Sequence, residues 1–111
     1  MSSAQAISKY VRISPRKARL AADLIRGLPV QSAKQQLAYC NLKAGRLLQK
    51  TLDSAIANAE NQHELRKENL AVAEVRVDEG PVFKRAKPKN KGGRHPIMKR
   101  TSHFLVVVKE A

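Results

Sequence analysis

The residues with the most chemical potential are cations, and they fall into three groups. Between Pro81 and Arg100 the chain carries Lys84, Arg85, Lys87, Lys89, Lys91, Arg94, Lys99 and Arg100, with His95 among them and no acid. Arg12, Arg16, Lys17 and Arg19 form a second group. Lys43, Arg46 and Lys50, spaced by three and four, form a third. Ammonium and guanidinium groups at this density share one chemistry: they neutralise phosphates along a polyanion and release its counterions. Arg adds planar, bidentate contact with phosphate, whereas Lys acts as a compact point charge.

No second chemistry assembles beside this one. His63, His95 and His103 have no metal-ligand spacing, and no Cys or carboxylate cluster joins them. Asp78-Glu79 is the one adjacent acidic pair. It stands at the root of the basic stretch, where it can orient Arg or Lys side chains. As a catalytic pair it lacks a nucleophile, a base and a pocket pattern. Gly92-Gly93 has neither the spacing nor the following helix of a phosphate loop. The lone Cys40 excludes an internal disulfide and a cysteine-built zinc site, and its neighbours Leu37, Ala38, Tyr39 and Leu42 mark it as a small buried hydrophobe in a reducing compartment. No metal or cofactor and no enzymatic activity is expected.

Composition agrees with the polyanion reading. The chain has 111 residues with 22 Lys or Arg against 9 Asp or Glu, a net charge of +13. Self-repulsion of that size is relieved by a polyanion; nucleic acid is the first candidate and an anionic membrane surface the second. Apolar residues make up 42% of the chain, enough for one domain with a modest core. Aromatics are Tyr10, Tyr39, Phe83 and Phe104, so base-stacking platforms are not expected to dominate. The longest apolar run, Phe104 to Val108, is five residues, and no signal-peptide core is evident, so neither a cleaved leader nor a membrane span is expected.

Positioning these charges requires a scaffold, which periodicity outlines. Gln5 to Ile13 alternates, with Ile7, Val11 and Ile13 on the inward parity of a strand. Ser14-Pro15 starts a helix, Ser as cap and Pro at the first helical position, and Gly27 stops it. Leu20 and Leu24, helped by Ala21 and Ile25, are its expected apolar stripe. Arg16, Lys17 and Arg19 crowd the positive end of this helix's dipole, at a cost of a few tenths to about 1 kcal/mol each at exposed sites. Such a local violation marks a phosphate contact; the plainer account is exposed side chains screened by salt. A second helix is expected over Val30 to Tyr39, with Val30, Ala33, Leu37 and Ala38 inward. A third runs from Leu42 to about Asn61, capped by Asn41, with Ala44, Leu48, Leu52, Ala55, Ile56 and Ala59 inward. Small Ala55, Ala57 and Ala59 imply close approach to a sheet. Lys43, Arg46 and Lys50 line another face of that helix, as a solvated surface or a second nucleic-acid contact.

Gln62 to Asn69 reads as a turn or loop. Leu70 to Asp78 reads as a strand whose inward parity switches, either through a bulge near Val72-Ala73 or because Leu70 precedes the strand proper. The last strand, from Thr101 to Val108, is apolar on both parities and suits the centre of a sheet covered on one face by helices. The order is then strand, three helices, strand, basic stretch, strand. A twenty-residue connection in a compact domain is functional or disordered. Apolar Val82 and Phe83 at one end, and Ile97 and Met98 at the other, favour two paired legs over a solvated loop, with Gly92-Gly93 able to turn between them. Pro88 and Pro96 remove ladder donors, so irregular pairing is expected towards the tip. With eight like charges, such a ribbon is expected to order only against a polyanion.

Several of these segments together resemble one family. Val77-Asp78-Glu79-Gly80-Pro81 with Lys84-Arg85, and Lys99-Arg100-Thr101-Ser102-His103 before a Val-rich end, are similar to the signature of the large-ribosomal-subunit protein family numbered twenty-two, bacterial type. Arg12-Ile13-Ser14-Pro15-Arg16-Lys17-Ala18-Arg19, Asp23-Leu24-Ile25-Arg26-Gly27 and Ser54-Ala55-Ile56-Ala57-Asn58-Ala59-Glu60 agree with it, across essentially the whole chain. The resemblance implies an α+β fold of three helices packed on a three-stranded antiparallel sheet, with a long extended β-hairpin arm between the last two strands. It implies a single domain over 1–111, globular over 1–80 and 101–111 with the arm at 81–100. It also implies a cytoplasmic, ribosomal protein that binds large-subunit rRNA and acts in subunit assembly. Its arm would line the nascent-peptide exit tunnel, with the tip at the constriction opposite the ribosomal protein of family number four, where changes alter macrolide sensitivity. Arg12, Arg16, Lys17, Arg19, Lys84, Arg85, Lys99 and Arg100 carry over from the matching motifs. The tip departs from the family pattern: Lys89 stands where Arg is usual, and Arg94 is displaced by one position within Pro88-Lys89-Asn90-Lys91-Gly92-Gly93-Arg94-His95-Pro96. A competing reading, an architectural DNA-binding protein with a basic β-ribbon arm, would require a dimeric core and bent duplex.

Overall fold

Ser14-Pro15 begins the first helix as the sequence requires, and the remaining elements follow in the expected order. The computed structural model describes residues 3–40, 42–88 and 94–110, with the backbone alone for 83–88 and 94–98. Strand β1 spans Ser3–Val11, helix α1 Pro15–Ile25, α2 Val30–Ala38 and α3 Lys43–His63. A 3-10 turn at Lys67–Asn69 leads into β2, Leu70–Glu79. Strands β3 (Phe83–Pro88) and β4 (Arg94–Lys99) form the arm, and β5 is Ser102–Glu110. The fold is α+β: three helices on an antiparallel sheet ordered β1-β5-β2, with β3-β4 a separate two-stranded ladder. Among the described residues no helix is long and apolar enough to cross a membrane.

β5 is the central strand, and its two parities have different fates. Phe104, Val106 and Val108 are buried under the helices, while Leu105 and Val107 on the other face are half-buried. In β2 the register with β5 slips between Val72 and Glu74. That bulge carries the inward parity from Leu70 and Val72 to Val75 and Val77, and Leu70 belongs to the strand, so of the two explanations of the switch the bulge holds.

β1 departs from its expected parity. Ala4 and Ala6 are buried, whereas Ile7 is 55% exposed and pairs with Leu105 on the open face. α3 lies directly over β1 and leaves room only for small side chains there. Ser8 and Thr51 hydroxyls meet at 2.8 Å, and Asn58 Nδ2 donates to the Gln5 carbonyl at 2.9 Å. A second slip, between Ser8 and Val11, places Tyr10 at φ 58°. Past it the parity reverses, and Ile13 is buried as expected.

α1 also turns a different face inward. Pro15, Ala18, Ala21, Ala22 and Ile25 are buried, and Leu20 and Leu24 are 59% and 44% exposed. The alanine face lets α1 lie against both β2 and α3, which a leucine ridge would hold apart. Leu24→Gln is therefore expected to leave Tm within a few degrees, as at a surface site. Ala21→Leu should destabilise by about 1–3 kcal/mol through overpacking; a pair of thermal melts checks both.

Gly27, at φ 81°, ends the first helical segment; its N–H bonds to the Val72 carbonyl at 3.1 Å, so the helix stop is tied to β2. In α2, Val30, Ala33 and Leu37 are buried as expected but Ala38 is exposed. The N-cap of α3 is Leu42; the expected cap, Asn41, lies outside the described residues. α3 buries all six expected residues together with Gly45 and Thr51, while Ala57 faces out. It also runs to His63, two residues into the expected loop, and ends on Glu64 in the left-handed conformation. Cys40 is only half-buried, against Gly45, where a Cβ would come within 2.9 Å of its own.

The arm's ladder is regular further out than the prolines led one to expect. It pairs Phe83 with Lys99 and continues through Ala86 with Pro96 to Pro88 with Arg94. The prolines sit in alternate pairs of one class. A ladder that passes both places them where an N–H would point away from the partner strand, so no donor is lost. The expected turn at Gly92-Gly93 lies outside the described residues.

Candidate nucleic-acid interface

The strand slip at the end of β1 delivers Arg12, Ile13 and Ser14 to a corner where α1 starts, α3 starts and the arm leaves the sheet. A cleft of about 500 Å³ opens there, lined by Arg12, Ile13, Ser14, Lys43, Lys99 and Arg100. A neighbouring groove of about 600 Å³ shares Arg12, Ile13, Ser14 and Lys43 and adds Lys17, Leu20, Leu42 and Ala44. Five cations from three separate stretches of sequence thus converge, and among the described residues neither lining includes an acid.

Backbone dipoles reinforce the side chains. α1 and α3 both begin at this corner, with Ser14 and Leu42 as N-caps; neither makes a side-chain cap bond, and neither first turn holds an acid. Two positive helix ends therefore face a space lined by cations, an arrangement that favours a bound anion. Lys43 Nζ donates to the Arg12 carbonyl at 3.3 Å, which holds the two residues together across the opening.

The remaining cations divide. Arg16, Arg46 and Lys50 are exposed but line neither cleft. Arg19 points away, its Nε and Nη2 both donating to the Val77 carbonyl at 3.3 and 3.2 Å. It braces α1 on β2, as Arg26 does through the Val75 carbonyl at 2.9 Å. The first-turn cluster is thus split between the groove (Lys17) and the sheet (Arg19). For Lys84, Arg85, Lys87, Arg94 and His95 the strand positions are given and the side chains lie outside what is described; Lys89 and Lys91 lie outside the described residues altogether.

At the arm's root the sequence hid a small polar hub. Thr101 and Ser102 are buried; Thr101 Oγ1 donates to the Pro81 carbonyl at 2.6 Å and Ser102 Oγ to the Ile13 carbonyl at 2.7 Å. His103 Nδ1 accepts the Tyr10 N–H at 3.1 Å, and the two rings meet edge to face, 5.0 Å apart. Asp78 accepts from Arg76 Nε at 3.1 Å, so one member of the acidic pair does orient an arginine. The clue available was Thr101-Ser102-His103 immediately after the last arm cations. Among the described residues no group of His, Cys, Asp or Glu is placed to hold a metal ion.

The chain matches the model of the family described as ribosomal protein L22p/L17e over residues 6–109. It belongs to that family. The large ribosomal subunit protein uL22 of Protochlamydia amoebophila is 73% identical over 108 residues, covering 97% of each chain. The proteins of the same name from Chlamydia abortus and Chlamydia pneumoniae are 59% and 58% identical over 106 residues, covering 96% of each. Membership makes the chain a structural ribosomal protein rather than an enzyme, as the resemblance of its motifs implied. The DNA-architectural reading gives way to it.

Proposed function

We propose that the protein is a constituent of the large ribosomal subunit that grips large-subunit rRNA through the corner where α1, α3 and the arm meet. Its arm then lines the nascent-peptide exit tunnel, facing the ribosomal protein of family number four, and the rRNA grip serves subunit assembly. The chain acts as one domain, globular over 1–80 and 101–111, with 81–100 as the arm. The observation that carries this reading is the convergence of Arg12, Lys17, Lys43, Lys99 and Arg100 on two adjoining openings at the arm's root that share Arg12 and Lys43. An anchor beside the root would set the direction in which the arm leaves the sheet.

Arg16, Arg46, Lys50 and the arm residues Lys84, Arg85, Lys87, Lys89, Lys91, Arg94 and His95 extend the contact outward from that anchor. Arg19 contributes chiefly by holding α1 on β2.

Deleting Lys87 to Pro96 tests the division of labour. The shortened chain is expected to keep its fold and to co-sediment with large subunits on a low-salt sucrose gradient, while tunnel function changes. A full-length chain that ran free of large subunits would sink the whole reading. A shortened chain that alone ran free would make the arm the main anchor.

A further inference from the structure

The sequence assigned Leu20 to the core, and the structure puts it outside at 59% exposure. Leu42, 41% exposed, joins it across the groove between α1 and α3, with Ile13 and Ala44 beneath. Arg12, Lys17 and Lys43 surround this apolar floor. Phosphate contact needs no leucines, and exposed apolar side chains gathered in a concave site mark something that covers them.

We infer that this groove receives one unstacked nucleobase of the RNA, with the adjoining phosphates on Arg12, Lys17 and Lys43. The inference rests on the rRNA-binding reading above and adds which part of the nucleotide goes where. Charge and continuity select the occupant. The groove shares Arg12 and Lys43 with the adjacent cleft, whose other cations are Lys99 and Arg100. A ligand filling both must present regular negative charge along its length and one flat apolar part at the groove, which is a polynucleotide strand with one base turned out. Proteins read RNA chiefly at such loops and bulges. Among the described residues the groove's lining has no aromatic ring, so the base is held between leucine side chains rather than stacked. Ser14 lines the same groove and makes no side-chain cap bond to α1, which leaves its hydroxyl for the base or sugar. A protein segment with acids around a hydrophobic residue is the rival occupant, but it has no reason to continue along the leucine-free cationic cleft.

The test uses the full chain and a large-subunit rRNA transcript, with affinity read across a salt series and bases probed by base-selective chemical modification. The double variant Leu20→Ala, Leu42→Ala is expected to keep its thermal melt, since both side chains are exposed. It should bind about tenfold more weakly, the order expected when two partly buried leucine side chains lose their apolar contact, with the salt slope unchanged. One base protected by the wild type should regain reactivity. Lys17→Ala and Lys43→Ala should each lower the slope by about one instead. If the leucine variant bound rRNA with wild-type affinity and the same base protections, the nucleobase site would be refuted while the RNA reading stood. Loss of a neighbouring ribosomal protein from subunits carrying that variant, with rRNA binding intact, would give the groove to a protein and also refute it. If the wild type itself showed no salt-dependent rRNA binding, the RNA reading would fail before the leucines were in question.

Discussion

Replacing Lys17, Lys43, Lys99 and Arg100 together by alanine is expected to weaken binding to large-subunit rRNA by roughly two to three powers of ten at about 0.15 M salt, without unfolding the chain. The size follows from counterion release. Each phosphate contact contributes a slope of roughly 0.7 to 0.9 in log affinity against log salt, so four contacts remove about three from the slope. The variant and wild type should therefore differ most at low salt and converge as salt rises. Stability should hold because Lys43, Lys99 and Arg100 are exposed and α1 keeps its braces through Arg19 and Arg26. Removing the like charge from two helix starts should if anything raise Tm slightly. Filter binding over a salt series checks the slope, and circular dichroism checks the fold. The control set is Arg46→Ala with Lys50→Ala, outside both clefts, which should lower affinity far less. Equal losses from the two sets would mean that net charge, and not the corner, governs binding.

The elements of the fold were legible because each has a local signature. The helix start at Ser14-Pro15, the stop at Gly27, the six apolar residues of α3 and the parity switch in β2 all stand where pattern and turn chemistry put them. What pattern cannot supply is which of two apolar faces a neighbour leaves room for. In α1 the leucine stripe is the stronger hydrophobic signal, yet close approach to β2 and α3 selects the alanine face. In β1 the same contest with α3 favours Ala4 and Ala6 over Ile7. Tertiary proximity decides both, and it also turns Leu20 into part of a groove.

The cations were legible as a population but not as a site. Sequence proximity joined Arg16, Lys17 and Arg19, whereas helix geometry sends Lys17 to the groove and Arg19 to a carbonyl of β2. Conversely, Lys43 and Lys99 are far apart in the chain and line one opening. What brings them together is the return of the arm to the sheet next to the strand slip at Tyr10, a long-range consequence of the antiparallel β1-β5 register. The small polar residues at the arm's root carried no charge to draw notice, yet they fix where the charged ribbon begins.

Gly80→Ala is the single substitution expected to do most damage at that root. A Cβ on residue 80 would lie 2.5 Å from Thr101 Oγ1 and 3.2 Å from His103 Cε1. The backbone conformation is not the obstacle, because Gly80 needs no positive φ; the obstacle is contact. Thr101 is fully buried, and its hydroxyl is already committed to the Pro81 carbonyl at 2.6 Å, so it cannot rotate away without breaking that bond. Nor can the backbone retreat easily, because Gly80 N–H is bound to the Thr101 carbonyl at 3.0 Å. The substitution should destabilise the chain by about 1–3 kcal/mol, the usual cost of overpacking a closed site. It should also splay the arm from its set direction. Thr101→Ser separates the two effects. It keeps the hydroxyl bond and removes the methyl, so the arm's exit should survive with a smaller loss of Tm. Paired with Gly80→Ala, it should recover little of the loss, because the hydroxyl oxygen that the new Cβ meets is still there. Thermal melts of the two single variants and the double variant read the stability, and incorporation into large subunits at a temperature where all three are folded reads the arm. If the Gly80→Ala variant melted with the wild type and assembled as well, the hub would not be what aims the arm.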